Sequence, residues 1–194
     1  MRLKLLAALF AGGVVFSSSV LAHEPSVAAM LSNTCNGCHG TNGNSAGPNT
    51  ANLGGVSSNY IVEQMKNFKS GERKSSIMGR LAKAYSDEEI ALIGSFYSTQ
   101  KYVGATQPTD AAKVARGKDL HKERCEKCHE EGGKVGQDEG ILAGQWKETL
   151  GIAFNEFRSK ARPMPKKMAA KIEGEAPLND ADIDALVHFY ASQK

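Results

Sequence analysis

Cys35-Asn36-Gly37-Cys38-His39 and Cys125-Glu126-Lys127-Cys128-His129 decide how this chain is read. They contain all four cysteines of the 194 residues. In each, two thiols are separated by two residues and followed at once by histidine. Cys-x-x-Cys-His is an attachment signature for a c-type haem, and the spacing has a chemical reason. Two thiols add to the two vinyl groups on one edge of a porphyrin, and the two intervening residues set the sulfurs at that separation. The next residue is then carried beneath the iron, where an imidazole nitrogen binds it. Cys35 and Cys38 are thus expected to anchor one haem with His39 on its iron. Cys125, Cys128 and His129 do the same for a second. The cofactors expected are two covalently bound haem c groups.

Other uses of these cysteines fit less well. Two Cys-x-x-Cys pairs suit a zinc ion on spacing, but that leaves two histidines as coincidences. A thioredoxin-like pair belongs to a βαβ setting, and no segment here alternates as a strand does. Two disulfides are an ordinary fate for four exported cysteines, yet they too ignore the histidines.

The echo extends beyond the motif. Leu53-Gly54-Gly55 matches Leu142-Ala143-Gly144, and Phe68-Lys69-Ser70-Gly71-Glu72-Arg73 matches Phe157-Arg158-Ser159-Lys160-Ala161-Arg162. Ser86-Asp87-Glu88-Glu89-Ile90 matches Asn179-Asp180-Ala181-Asp182-Ile183, and Phe96-Tyr97 matches Phe189-Tyr190. A tandem duplication of one domain accounts for this. The join falls in 101–109, where Gly104, Pro108 and small polar residues read as a linker. The expected domains are 23–104 and 105–194.

Each copy has the same plan. A first helix (about 26–33 and 111–124) leads into the cysteine motif. A glycine-rich loop follows (40–55 and 132–144). A middle helix spans about 59–69, with Ile61, Met65 and Phe68 at helical spacing, and about 145–159 in the second copy. The last helix begins at Ser86, where Glu89 completes a capping box, and at Asn179 with Asp182 in the same place. The class is all-α.

Residues 1–22 read as an export signal. Arg2 and Lys4 form the positive region, 5–15 is a short apolar run, and Val20-Leu21-Ala22 precedes the expected cut. The run is too short for a comfortable membrane span. No second one exists, so the mature chain is expected to be soluble and periplasmic. Cleavage removes Arg2 and Lys4, taking Lys plus Arg from 24 to 22 against 21 Asp plus Glu, and the net charge from +3 to +1. That balance gives no argument for nucleic acid or an anionic membrane.

The sixth iron ligand should lie downstream of each motif, and methionine sulfur is a common partner to histidine. Met78, Met164 and Met168 are the mature methionines outside the expected helices. Met78 stands alone in the first copy. In the second, aligning Phe68 with Phe157 brings Met168 within one residue of the Met78 position, so Met168 is favoured over Met164. Met30 and Met65 read as core packing. His121 reads as a solvated or capping residue, and His188 has no repeat partner to support it as a ligand. His23 reads as the exposed mature terminus. Arg158, Lys160, Arg162, Lys166, Lys167 and Lys171 read as a solvated rim, or as a surface steering an acidic partner. With both irons closed by sulfur, no catalytic residue is expected in this chain.

The paired motifs, the 68–78 segment and the final helices resemble the dihaem cytochromes c built from two class I domains. Within that group, Phe68 to Arg73, Ile77-Met78-Gly79-Arg80, Gly140 to Trp146 and Met164 to Ala169 resemble the haem subunits of the flavocytochrome c sulfide dehydrogenases. The resemblance implies two cytochrome c folds related by an approximate two-fold, with the haems near each other across the interface. It also implies a separate FAD-containing flavoprotein partner that oxidises sulfide, and a downstream electron acceptor. This chain has no Gly-x-Gly-x-x-Gly element after a strand, so flavin chemistry belongs to another protein. The alternative is a free-standing soluble dihaem carrier that shuttles electrons to a terminal oxidase.

Overall fold

Ser26 caps the first helix by accepting from the Ala29 N–H, and Asp110 caps its counterpart by accepting from Lys113. A computed structural model describes residues 26–135 and 138–194. The expected signal segment and His23 lie outside the described residues. The first half contains α1 (Val27–Asn33), α2 (Asn36–His39), α3 (Ser58–Ser70), α4 (Met78–Leu81) and α5 (Asp87–Ser98). The second contains α6 (Ala111–Arg124), α7 (Glu130–Gly133), α8 (Lys147–Arg158), α9 (Lys166–Glu173) and α10 (Asp180–Ser192). Among the described residues there is no strand, only an isolated bridge between Glu130 and Val135.

Both expected capping boxes form. Ser86 and Glu89 bond reciprocally at the start of α5, and Asn179 and Asp182 do so at α10. Each satisfies two otherwise orphaned backbone donors. Ile61, Met65 and Phe68 line one face of α3 and are buried with Ile90, Ile93 and Tyr97 of α5. The second core gathers Leu150 of α8, Ile172 of α9, and Leu186, Phe189 and Tyr190 of α10. Met30 departs from expectation: it is 53% exposed on α1, because α1 turns Leu31 and Ser32 to the core instead.

The same turn holds the glycine-rich loop in each half. Gly43 and Gly133 adopt positive φ, +78° and +87°. The Gly43 carbonyl accepts from Leu53 and Gly54, and that of Gly133 from Leu142 and Ala143. A Cβ on either would strike the ring of Tyr97 or Tyr190 at 2.8–3.0 Å, so only glycine meets both demands.

The halves pack through a repeated device. The Arg73 guanidinium lies 4.5 Å from the Phe68 ring centre, and that of Arg162 4.4 Å from Phe157. Each then crosses over. Arg73 donates to Glu156 at 2.8 and 3.1 Å, while Arg162 donates to the Tyr60 hydroxyl. Burial, and then the neighbouring Arg162, lower the Arg73 pKa, an effect that Glu156 counters only in part. The Lys74 N–H donates to the Ala161 carbonyl at 2.8 Å. Its symmetry mate is Pro163, which has no N–H to return the bond. Arg162 therefore belongs to the interface, 8% exposed, and is no part of a solvated rim.

Candidate haem-binding sites

Each cysteine motif closes as a single helical turn. The His39 N–H donates to the Cys35 carbonyl at 2.9 Å, and the His129 N–H to Cys125 at 2.9 Å. Thiols three apart on such a turn share one face. Cys38 and Cys128 are exposed, Cys35 and Cys125 partly buried, and no disulfide joins any of them. Cys35 packs on the first core and Cys125 on the second, so the two pairs do not converge on one ion. No cluster of three or more His, Cys, Asp or Glu suited to a metal occurs among the described residues.

His39 is held in one tautomer. Its Nδ1 lies 2.8 Å from the Ala51 carbonyl oxygen. A carbonyl only accepts, so Nδ1 carries the proton and Nε2 keeps its lone pair for a metal. Burial lowers the His39 pKa, which favours the neutral ring. Burial likewise lowers the His129 pKa. Its Nδ1 is buried and meets no partner among the described residues.

Met78 opens α4 and packs on the same core as Cys35. Met164 and Met168 both pack on the core that holds Cys125. Met78 stands four residues before the fully buried Ala82, and Met168 four before the buried Ile172. That common register places Met168, one turn from its core anchor, where Met78 sits. Met164 lies outside α9, before Pro165. The sequence reading put these methionines in loops; Met78 and Met168 instead belong to short helices whose caps and buried anchors carry no strong periodic signal.

The same register reveals an exchange of surface. Ile77 and Leu81, 59% and 50% exposed beside Met78, fall opposite Lys167 and Lys171, both exposed beside Met168. Among the described residues, no ion pair engages Lys166, Lys167 or Lys171, while Arg158 and Lys160 are tied to Asp180 and Glu173.

His121 is neither solvated nor a cap. It is 2% exposed, between the Tyr190 hydroxyl at 2.9 Å and the Glu126 carboxylate. In the first half Tyr97 donates to the Ser32 carbonyl at 2.8 Å. In the second half the repeated tyrosine meets the His121 side chain instead of a backbone carbonyl. His188 accepts from the Asp110 N–H at 2.9 Å, bracing α10 against the start of α6.

The fold and the paired motifs define a c-type cytochrome, and the comparisons agree. Residues 114–194 match the cytochrome c family. The chain is 40% identical over 96 residues to the cytochrome subunit of sulfide dehydrogenase of Chlorobaculum tepidum, covering 46% of this chain and 86% of that one. It is 31% identical over 170 residues to a cytochrome c4 of Stutzerimonas stutzeri, covering 78% of this chain and 80% of that one. A crystal structure of reduced recombinant cytochrome c4 from Pseudomonas stutzeri superposes with a TM-score of 0.74 over 86% of this chain and 98% of its own, at 24% identity. The chain belongs to the cytochrome c family. It has two tandem class I domains, carries two haem c groups and acts as an electron carrier. No helix among the described residues is long and apolar enough to cross a membrane.

Proposed function

We propose that this chain is the electron-accepting haem subunit of a sulfide-oxidising FAD flavoprotein, exported to the periplasm after cleavage behind Ala22. The observation that carries the reading is the 40% identity to a sulfide dehydrogenase cytochrome subunit, joined to the motif resemblance in 68–80 and 140–169. In this reading Cys35, Cys38, Cys125 and Cys128 would form the thioether links, and His39 and Met78 would ligate one iron, His129 and Met168 the other. The domains divide at 104/105. Bound in these sites, each haem supplies a one-electron ferric/ferrous couple.

The residues then have separable duties. Ala51 holds the His39 ring in one tautomer. As ligands the two methionines would close the irons to exogenous molecules and raise their potentials, which would direct the chain toward outer-sphere transfer. The Arg73–Glu156 and Arg162–Tyr60 crossings hold the halves in one arrangement. The exposed apolar pair Ile77 and Leu81 suits a lasting contact with a flavoprotein subunit. Lys166, Lys167 and Lys171 suit brief, salt-sensitive encounters with an acidic acceptor.

A second reading, a free-standing dihaem carrier serving a terminal oxidase, is favoured by the cytochrome c4 relatives, whose likeness extends over both halves. Gentle isolation of the native protein separates the two. A co-eluting flavoprotein and haems reduced promptly by added sulfide support the subunit reading. A flavin-free two-haem species indifferent to sulfide overturns it in favour of the carrier.

A further inference from the structure

The buried contact between the halves runs directly to an iron ligand. Ala51 C=O, which accepts from His39 Nδ1, and Asn52 N–H are the two ends of one peptide unit. That N–H donates to Gln145 Oε1 at 2.9 Å, and Gln145 Nε2 returns a bond to the Asn52 carbonyl at 3.0 Å. Asn52 is 1% exposed and Gln145 6%. The partners are backbone groups of fixed polarity, so the amide orientation is determined. Gln145 is itself held, its carbonyl accepting from Gln107 Nε2 at 2.8 Å.

We propose that Gln145 is a positioning residue for the iron site of the opposite half. It acts through Asn52 and Ala51 to hold down the potential of the first haem. The inference rests on His39 being that haem's ligand. A peptide whose N–H is engaged presents a more negative carbonyl, because hydrogen bonds in a chain polarise one another. A stronger acceptor at Ala51 draws harder on the His39 Nδ1 proton and raises the basicity of Nε2. A more basic ligand favours ferric iron. The wiring runs one way. In the repeat register Gln145 corresponds to Val56, a buried core residue with no polar side-chain atom. Among the described residues no side chain of the first half hydrogen-bonds the corresponding Gly140–Ile141 peptide, and His129 Nδ1 meets no partner, so the second haem serves as an internal reference.

The test is potentiometry on the intact dihaem protein, with the first midpoint assigned as the one that Met78→Ala displaces. Gln145→Met removes the acceptor at similar length. It should shift the first midpoint upward and leave the second in place. Gln145→Glu keeps an acceptor at Oε1 and should not raise the first midpoint. Thr149→Val removes a different interface bond, to the Pro48 carbonyl at 2.8 Å, and should move neither. An unmoved first midpoint in Gln145→Met overturns the proposal. So does an equal shift of both, or the same shift in Thr149→Val, since either marks general loosening. Failure of the ligand reading shows separately, as a parent protein whose first haem lacks the spectrum of histidine–methionine ligation.

Discussion

Gly117 should be irreplaceable at the crossing of α6 and α10, although it sits in mid-helix, where glycine costs about 1 kcal/mol relative to alanine. A Cβ at Gly117 would lie 2.1 Å from the Ala185 carbonyl oxygen and 2.7 Å from Phe189 Cβ. Ordinary contact begins near 3.4 Å, so Gly117→Ala must drive the helices apart by more than 1 Å. The obstacle is backbone, which cannot swing aside. A gap of 0.5–1 Å already forfeits about a quarter to a half of each dispersion well, and Leu186, Phe189 and Tyr190 share that layer. Overpacking of this kind costs about 1–3 kcal/mol, and here the backbone clash puts it at the upper end. After the helix-propensity gain, a net loss of about 2 kcal/mol remains, or roughly 4–8 °C in a chain of this size. The control is Gly151→Ala on α8, where nothing lies within 4 Å of the added atom. It should stabilise by about 0.4–1 kcal/mol. Thermal melts followed by circular dichroism and haem absorbance read both variants. A Gly117→Ala protein that melts at or above the parent would refute the packing argument.

Three further outcomes are expected. Met78→Ala should open the first iron, seen as a high-spin component and a lower potential. Met168→Ala should do so at the second, whereas Met164→Ala should leave both spectra intact. Lys167→Glu with Lys171→Glu should slow reduction of an acidic redox partner severalfold at low ionic strength and flatten the salt dependence, while Ile77→Ser should leave the salt dependence alone. Asp182, whose pKa is lowered chiefly by its bond from Arg116 and also by capping α10, contributes stability that is full above the unfolded carboxylate pKa near 4 and fades as pH falls below it. Asp182→Asn should therefore lower stability by about 1 kcal/mol at pH 7 and narrow the gap from the parent as pH drops toward 3, measured by denaturant titration at each pH.

The helices were legible because they are punctuated. Ser86 with Glu89 and Asn179 with Asp182 read as capping boxes, and the starts expected there fall within one residue of α5 and α10. The duplication was legible because one-turn motifs and aromatic pairs survive at nearly constant offset. What lay beyond the sequence was the surface where the copies meet. Arg162 reads as one more cation in a basic stretch, and only the Phe157 ring and the Tyr60 hydroxyl across the interface explain its burial. Asn52 and Gln145 are isolated polar residues with no periodic signal, 93 positions apart in sequence. His121 reads as helix surface until Tyr190 and Glu126 close around it. The comparison of Gly43 with Gly133 shows the opposite case, a loop whose shape is written into the positions that only glycine fills.

The central claim is that each Cys-x-x-Cys-His turn carries its own haem. The most direct measurement is mass spectrometry of the mature protein and of its peptides spanning Cys35–Cys38 and Cys125–Cys128, alongside haem per chain by absorbance. The account predicts a chain heavier by two haems, with each peptide bearing one through both sulfurs. A haem-free chain, or cysteine peptides lighter by two hydrogens through a disulfide, would contradict it.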